Sequence, residues 1–301
     1  MKEILYRLIY NDKVNAILRP FAKAIYIATG KKIFSPSGTI NLKYKKASFK
    51  LETNQTSFVA QSLFYNGTSA YEFTPLFDDL IRKSSVFFDI GANIGYFSIL
   101  ADKLNPDCQT VAFEPSIGSL HYLRKNIELN KSKSVVVIDS AVSNIEGTLL
   151  FNEITNSKYP WIKYNLNGSN SLAGEHIKST FCSYDVQVIT IEKVIEKLKL
   201  TQVDLIKLDT ECTEHLILNS SIEVIQKHLP IIISEVYPVI ESEIEEIILH
   251  KLSDYIIFQY NFENCKLIKI KSFSHIANTD PDRNFVFCPI NKLELIQKYI
   301  S

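Results

Sequence analysis

The chain has 301 residues, 46% of them hydrophobic, and its 33 Lys and Arg residues balance 33 Asp and Glu residues. This composition is typical of a folded globular protein and excludes a disordered or collagen-like chain. Because the net charge is zero, no global field attracts nucleic acid, and we expect no nucleic-acid partner. Length and composition leave the oligomeric state open.

The five cysteines are odd in number, widely scattered and never spaced as C-x-x-C. This usage fits neither a disulfide framework nor a zinc site, so a reducing compartment is the simplest interpretation. No apolar run reaches the ~18 residues of a membrane-spanning helix. Charged residues interrupt each candidate signal-peptide core near the N-terminus. We therefore expect a cytoplasmic protein.

Residues 1–35 combine apolar residues at helical spacing with a basic excess, and the pattern breaks at Gly30. A helix packed on its own domain is the favoured interpretation, and contact with an anionic membrane surface or a partner is the alternative. Residues 39–52 look like strands, and a turn and a helix follow. We predict that residues 1–80 form an extension packed on a core domain of residues 81–301.

Apolar runs and helical patterns alternate after residue 80. The predicted strands are 86–90, 110–113, 135–138, 203–208 and 231–236. The predicted helices are 93–103, 120–129, 191–198 and 222–227. Continuous apolar runs are typical of strands buried on both faces. Their alternation with helices predicts an α/β fold with a doubly wound, Rossmann-like, mostly parallel sheet.

The late segments "YIIFQYN" and "NFVFCP" predict an antiparallel pair that closes the sheet, after the helix "ESEIEEIILHKL". Residues 152–185 show no clear periodicity and are rich in Asn, Ser and Tyr. A long insertion of this kind inside a compact domain often serves as a functional loop, so we expect a lid. Its aromatic residues Tyr159, Trp161 and Tyr164 either stack on a sugar ring or, as the favoured alternative, pack the loop down.

The first predicted strand ends in "FFDIGANIG", with Asp89 followed by Gly91 and Gly95. In a doubly wound sheet the ligand crevice lies at this strand-to-helix turn. Gly91 allows a backbone conformation closed to other residues, and Gly95 allows close approach of helix and ligand. A dinucleotide motif needs a third glycine. The acid at Asp89 instead suits the ammonium and sulfonium charges of S-adenosylmethionine.

Two further strand ends add candidate cofactor contacts. Glu114 follows the second strand in "VAFEP", where a carboxylate is placed to accept both ribose hydroxyls. The third strand ends in "IDSAVSN", where Asp139, Ser140 and Ala141 are candidates for lining the adenine pocket. At this spacing in successive β-α units, these residues favour the methyl donor over a dinucleotide.

A second set of polar residues surrounds the ends of the fourth and fifth strands, in "VDLIKLDTECTEHLI" and "PIIISEVYP". A carboxylate within hydrogen-bond reach of an acceptor hydroxyl can take its proton during methyl transfer. Asp209 and Glu235 are the first candidates for this role. Glu211 is the next, followed by Glu214 and His215, although helix N-terminal acids also serve to complement the dipole. Clustered carboxylates can also hold Mg²⁺, which we do not expect.

These segments, taken in order, resemble the FkbM-like S-adenosylmethionine-dependent methyltransferases. The match rests on "FFDIGANIGYFS", "AFEPS", "LRKNIELN", "DSAVSN", "VDLIKLDTECTE" and "PIIISEVYP", and covers roughly residues 65–290. The resemblance implies a class I methyltransferase fold of seven strands with a reversed last strand. It also implies O-methylation of a sugar or a polyketide natural product.

By this resemblance, the cofactor is held by a set of five residues: Asp89, Gly91, Asn93, Gly95 and Glu114. The stretch around Asp209 faces the methyl group and the acceptor. The chain departs from the family where K-I-D-V-E-G-A-E is usual, because "KLDTECTE" has Cys212 in place of glycine and Thr213 in place of a small residue. It also has Glu192 where an aspartate is common.

The sequence therefore predicts a methyltransferase that acts on a hydroxyl of a saccharide or related natural product. Two alternatives stay open. In the first alternative the acceptor is an amine or a carboxylate. In the second the chain binds the cofactor without turnover, which the replacement of the family glycine by Cys212 would favour.

Overall fold

The computed structural model describes residues 2–156, 158–167, 181–276 and 283–301. The helices in these ranges are α1 (Lys2–Ile9), α2 (Asp12–Thr29), α3 (Phe58–Asn66), α4 (Thr74–Ile81), α5 (Tyr96–Leu104), α6 (Ile117–Asn130), α7 (Ile191–Leu198), α8 (Glu214–Ser220), α9 (Ile222–His228) and α10 (Glu241–Glu246). The strands are β1 (Gly38–Tyr44), β2 (Ala47–Thr53), β3 (Val86–Ile90), β4 (Gln109–Phe113), β5 (Val135–Ile138), β6 (Ala141–Val142), β7 (Gly147–Ile154), β8 (Phe181–Ile189), β9 (Leu205–Leu208), β10 (Ile231–Glu235), β11 (Tyr255–Asn261), β12 (Lys266–Ile270) and β13 (Asn284–Pro289).

The central sheet has eight strands in the order β12-β11-β13-β10-β9-β3-β4-β5. The strands from β10 to β5 in this order are parallel, while β13 runs antiparallel to both of its neighbours, β10 and β11. The predicted doubly wound, mostly parallel sheet with a reversed last strand is confirmed. The sheet has one strand more than the seven that the resemblance implied. The additional strand is β12, a short edge strand with two lysines that lies between the two predicted late strands.

Burial on both faces explains why the central strands were recognisable. All five residues of β3 are buried, as in parallel strands covered by helices on both sides. Phe87 belongs to one apolar cluster and Phe88 to the other, because successive side chains point to opposite faces. Each buried phenylalanine contributes about 1.5–3 kcal/mol relative to an exposed one. Helix α6 begins after Ser116, whose hydroxyl accepts a hydrogen bond from the Ser119 amide at 3.4 Å.

A smaller sheet of order β6-β8-β7 is formed by strands from the region between β5 and α7. Strands β7 and β8 pair antiparallel, from Gly147 with Val188 to Ile154 with Phe181. The prediction of an aperiodic insertion over 152–185 is therefore wrong at both ends, where the chain is strand. The pattern was missed because β7 is exposed on both sides at its start and lacks apolar alternation. Residues 168–180 of the predicted lid lie outside the described residues.

The N-terminal helices pack against the hairpin β1–β2 and against α3. Helix α2 is capped by the Asn11 side chain and ends at Gly30, which has φ 71°. Its inward face is fixed by polar contacts, since the Asn15 amide nitrogen donates to the Ile9 and Ser35 carbonyls, each at 3.2 Å. Among the described residues, no helix is both long enough and apolar enough to cross a membrane.

Candidate active site

A cavity of about 340 Å³ lies at the carboxyl ends of β3, β4, β5, β9 and β10. This is the position where open α/β sheets bind ligands, and its volume lies within the range of small-molecule sites. Residues of these strand ends form its floor, and α3, the segment before α4, β7 and the loop after β7 contribute its walls. The cavity is therefore lined both by the central sheet and by segments that precede β3 in the chain.

Gly91 forms the centre of the floor. Its φ of 78° is a conformation that side chains disfavour, and a Cβ there would lie 1.9 Å from the Asp209 carbonyl oxygen. The backbone turns after β3 and β9 thus meet with no room for a methyl group. The prediction that this position requires a special backbone conformation is matched by the geometry, and the close approach is to Asp209.

Gly95 serves helix packing. It has φ 88° at the N-terminus of α5, and a Cβ would lie 2.6 Å from Leu123 Cδ1 of α6. We expected this glycine to permit close approach of a ligand, but the tight neighbour is a side chain of the next helix, and Gly95 is not part of the cavity lining. Asn93, in contrast, lines the cavity and has φ 51°.

Glu114 faces the cavity from the end of β4, with both of its carboxylate oxygens held by backbone amides. The Asn93 amide donates to Oε2 at 2.7 Å and the Ser116 amide donates to Oε1 at 2.9 Å. Each oxygen retains a lone pair for a ligand hydroxyl. Burial raises the pKa of Glu114 to about 7, against these two hydrogen bonds, which lower it. The fixed carboxylate is suited to a diol.

The end of β5 supplies Ser140 and Ala141 to the cavity lining, as expected. The Ser140 hydroxyl donates to the Asp139 carbonyl at 2.7 Å. Asp139 itself is exposed and pairs with Arg124 at 3.0 Å, and it is not part of the lining. The expectation that Asp139 lines the adenine pocket is therefore wrong, because its carboxylate is turned outward to a cation.

Asp89 lies beneath the cavity rather than in its lining. Its Oδ2 accepts from the Ser98 hydroxyl at 2.5 Å, and Oδ1 has no hydrogen-bond partner among the described residues. The nearest cation is Lys207, whose Nζ lies 3.9 Å from Asp89 Oδ1 and 2.9 Å from Asp209 Oδ2. Burial opposes the charge of Lys207, but Asp209 and Asp89 raise its pKa above the usual value, so it stays a cation.

Four carboxylates converge at the other end of the cavity, from Glu72, Asp209, Glu211 and Glu235. Burial raises the pKa of Glu72 to about 7. Burial and the Asp209 charge raise the pKa of Glu211 to about 8. Burial and the charges of Asp209 and Glu211 raise the pKa of Glu235 to about 9. Perturbed acids of this kind in a cleft mark a functional site.

The loop that follows β9 is held from below by Glu214. Its Oε1 accepts from the Thr210 amide at 2.6 Å and from the Thr210 hydroxyl at 2.9 Å. Burial raises the pKa of Glu214, and its side chain positions the loop. Neither Glu214 nor His215 belongs to the cavity lining, so the structure does not bring these two lesser candidates to the site.

Among the described residues, nine non-glycine residues have positive φ, and four of them lie at or beside the cavity. Glu72, Asn93 and Glu211 line the cavity with φ of 40°, 51° and 55°, and Cys212 follows with φ 77°. Non-glycine residues in this region cost free energy and cluster at functional sites. Cys212 occupies the position where the family resemblance implies glycine, and it retains the backbone conformation that glycine favours.

Sequence reasoning missed most of the wall of the cavity. Glu72 and Tyr71 come from the segment before α4 and Phe58 comes from α3, whereas Leu166, in the loop after β7, belongs to the segment predicted to form a lid. That loop is held at the cavity wall by a hydrogen bond, because the Leu166 amide donates to the Thr56 hydroxyl at 2.8 Å. A lone acid within the aromatic run "YEF" was the available signal for Glu72.

The aromatic residues of this loop pack it against helices. The Tyr159 ring lies 5.4 Å from that of Tyr10, and the Tyr164 ring stacks at 4.3 Å on His121. The Arg7 guanidinium lies 4.9 Å from the Trp161 ring. None of the three loop aromatics is part of the lining within the described residues, so packing is the role the structure supports.

The residues present fit S-adenosylmethionine. The glycine turn at Gly91 and the Glu114 carboxylate, whose fixed oxygens suit a diol, lie in one cavity, and acidic side chains beside them are complementary to the positive charges of the cofactor. In the described ranges, no three His, Cys, Asp or Glu side chains are arranged to hold a metal ion. The fold and the site define a class I S-adenosylmethionine-dependent methyltransferase.

The methyltransferase FkbM domain model matches residues 89–286, more than half of the chain. The chain therefore belongs to the FkbM methyltransferase family, as its motifs predicted. No curated protein sequence matches at a significant level.

Two solved structures illustrate what the chain is similar to. The methyltransferase FkbM from Methylobacillus flagellatus KT is 16% identical with a TM-score of 0.43, over 68% of this chain and 43% of that chain. This chain thus spans less than half of that protein. TYW2 of M. jannaschii, solved in complex with AdoMet, is 15% identical with a TM-score of 0.40, over 85% of this chain and 87% of that one.

Proposed function

We propose that this enzyme methylates a hydroxyl group of a saccharide or related natural product. The observation that supports this most is the convergence of four carboxylates next to the cofactor residues, from Glu72, Asp209, Glu211 and Glu235. Carboxylate oxygens accept several hydrogen bonds each, so the cluster suits an acceptor with many hydroxyls. The choice of a saccharide rests on the family resemblance.

The cofactor end of the cavity would be held by Gly91, Asn93, Glu114 and Ser140. When bound, S-adenosylmethionine supplies an electrophilic methyl group on a positively charged sulfur. Glu114 orients the ribose hydroxyls, since its carboxylate is fixed by two backbone amides. Asp89, one oxygen of which lacks a hydrogen-bond partner among the described residues, adds negative charge beneath this end.

At the acceptor end, Glu235 is the residue that we assign as general base. A carboxylate with a raised pKa is a better proton acceptor than an ordinary one, provided that it is ionised when the acceptor binds. Asp209 is paired with Lys207 at 2.9 Å and is therefore held in place to orient the acceptor. S-adenosylmethionine would supply the methyl group for the acceptor oxygen and would leave as its neutral thioether, and Glu235 would take the hydroxyl proton.

An amine acceptor is the second candidate, and the same cluster favours it, because an ammonium group is complementary to several carboxylates. A carboxylate acceptor fits less well, since its charge would be repelled by the side chains that would surround it. The two favoured classes differ in the atom that carries the new methyl group.

The test is transfer of a labelled methyl group to panels of saccharides, amines and carboxylic acids, followed by carbon NMR of the product. We expect an O-methyl product with wild-type enzyme and loss of turnover in Glu235→Gln. An N-methyl product would replace the hydroxyl proposal with the amine one. Binding of the cofactor without turnover on any panel would point to a module that does not catalyse.

A further inference from the structure

The outward face of α2 is apolar over three turns. Its exposed residues between positions 16 and 28 are all apolar: Ala16, Ile17, Pro20, Phe21, Ala24, Ile25, Ile27 and Ala28. Ile17, Phe21 and Ile27 are 69%, 66% and 75% exposed. Helix α1 adds exposed Ile4, Leu5 and Leu8. An exposed patch of this extent marks an interaction surface.

The exposure of this apolar face does not arise from loose attachment of α2 to the rest of the protein. On the inward side of α2, Arg19 donates to the Thr39 carbonyl at 2.8 Å, and Lys23 donates to the Phe64 and Tyr65 carbonyls at 2.8 and 2.6 Å. The helix is therefore fixed to β1 and α3 in an orientation that keeps its apolar face outward. The side chains of Arg19 and Lys23 both bond inward, so neither interrupts that face.

The charge around the face is positive. Residues 1–35 contain seven basic and two acidic residues, although the whole chain is neutral. Lys13 is exposed at the start of α2, and Lys31 and Lys32 are exposed beyond its end. A helix with an apolar face and flanking basic residues is the kind that lies in the interface of an anionic bilayer.

We propose that α1 and α2 form an anchor that lies on an anionic membrane surface, with the apolar face in the acyl boundary and the lysines on lipid phosphates. A second copy of the chain fits this face less well. Lys31 and Lys32 make the C-terminal end of α2 basic, and no exposed acid on the apolar face would compensate them, so a parallel dimer would bring like charges together and an antiparallel one would leave both lysine pairs without an acidic partner on that face. Helix α2 also packs through Lys23 on α3, whose Phe58 lines the cavity, so the anchor lies one helix away from the active site.

The experiment is flotation of the full chain with vesicles of phosphatidylcholine alone or mixed with phosphatidylglycerol. We expect at least about tenfold stronger binding to the anionic vesicles, and weaker binding as salt is raised, because screening weakens the attraction of lysines to the surface. Equal binding to both vesicles that is insensitive to salt would overturn the role of charge. Absence of binding to the anionic vesicles would overturn the proposal.

Matched variants distinguish vesicle binding through α2 from nonspecific adsorption by exposed apolar residues. Ile17→Gln/Phe21→Gln should lower vesicle binding by about tenfold or more, since both side chains leave the acyl boundary. The control Val239→Gln/Ile290→Gln changes two exposed apolar residues elsewhere and should bind as wild type does. Thermal unfolding and calorimetric cofactor binding verify that both variants fold.

Undiminished vesicle binding by the α2 variant would overturn the proposal. Self-association in analytical ultracentrifugation, if lost in that variant and present without vesicle binding, would identify a second copy as the occupant and would also overturn it. Lys31→Gln/Lys32→Gln adds an independent arm, for which we expect binding to anionic vesicles to fall by about tenfold.

Discussion

The two ends of the active-site cavity are built on different physical principles. At the cofactor end, Glu114 has both oxygens satisfied by backbone amides, and Gly91 fits a turn that admits no side chain. At the proposed acceptor end, Glu72, Glu211 and Glu235 lie close to Asp209, which pairs with the buried cation Lys207. The carboxylate of the first end is satisfied by hydrogen bonds, while the second end has more acids than Lys207 neutralises, so the pKa values of its three glutamates are raised.

This difference has a functional consequence. A preorganised end binds a constant ligand without rearrangement, as a cofactor common to many enzymes requires. An end with unneutralised acids and a strained backbone is stabilised only when a ligand supplies positive charge or hydrogen-bond donors. Variants at the two ends should therefore have different effects. Variants at the cofactor end should lose cofactor affinity, and variants at the acceptor end should lose turnover while the free energy of unfolding increases.

The largest effect is expected from Gly91→Ala. The added Cβ would meet the Asp209 carbonyl oxygen at 1.9 Å, and the residue would also be strained at φ 78°. We expect a loss of about 3 kcal/mol or more in the free energy of unfolding, together with loss of cofactor binding. Denaturant titration and calorimetry measure both.

The control for this change is Gly30→Ala, at φ 71° in the left-handed region with open space around the position where Cβ would be placed. It should lose only about 1 kcal/mol, which is the effect of the backbone conformation alone. If the two variants are equally destabilised, the contact between the β3 and β9 turns is not what requires glycine.

Glu235→Gln should lower kcat by about 10²–10⁴-fold if Glu235 is the general base. A base must be ionised to act, and the pKa of Glu235 is raised to about 9, so the wild-type rate should rise as pH increases toward 9. Activity assays across about pH 6–10, a range wide enough to cover the transition, test this pH dependence. An identical pH profile in the variant would assign the titration to another group.

The same variant should be more stable than wild type at neutral pH. An acid whose pKa is higher folded than unfolded takes up protons on folding, so its contribution is neutral below the unfolded value and unfavourable as pH rises toward the folded one. We expect Glu235→Gln to gain on the order of 1–3 kcal/mol at pH near 8 and much less at pH near 4. Equal stability of both proteins at the higher pH would contradict the electrostatic difference between the two ends.

The smallest effect is expected from Cys212→Gly. Cys212 has φ 77°, and glycine adopts this conformation without strain, so the variant should be more stable by up to about 1 kcal/mol. Cys265→Gly changes the same residue type at φ 54° outside the cavity and is the matched control. A destabilised Cys212→Gly protein would show that the thiol packing outweighs the backbone strain.

Sequence reasoning worked where one segment determines the result. The bounds of β3, β5, β11, β13 and α7 were predicted to the residue, because the strands are apolar runs between turns and α7 has a helical apolar period after its cap Thr190. The turn at Gly91 and the strand-end acids Glu114, Asp209 and Glu235 were found for the same reason, since parallel strands end at one edge of the sheet.

It failed where distant segments meet or where strands are exposed. Glu72, from the segment before α4, lines the same part of the cavity as Asp209, although the two residues are far apart in the sequence. The role of Gly95 depends on Leu123 of the next helix. Strand β7 is exposed at its start, so the period of two that marks a half-buried strand is absent there.

The most direct test of the account is calorimetric titration of S-adenosylmethionine and its demethylated product into wild-type protein, Glu114→Ala and the exposed-acid control Glu223→Ala. We expect both ligands to bind wild type and Glu223→Ala, and we expect Glu114→Ala to lose about 10²-fold in affinity for each, because the diol contact is removed. Wild-type affinity in Glu114→Ala, or no binding of either ligand to wild type, would contradict the assignment of this cavity to the cofactor.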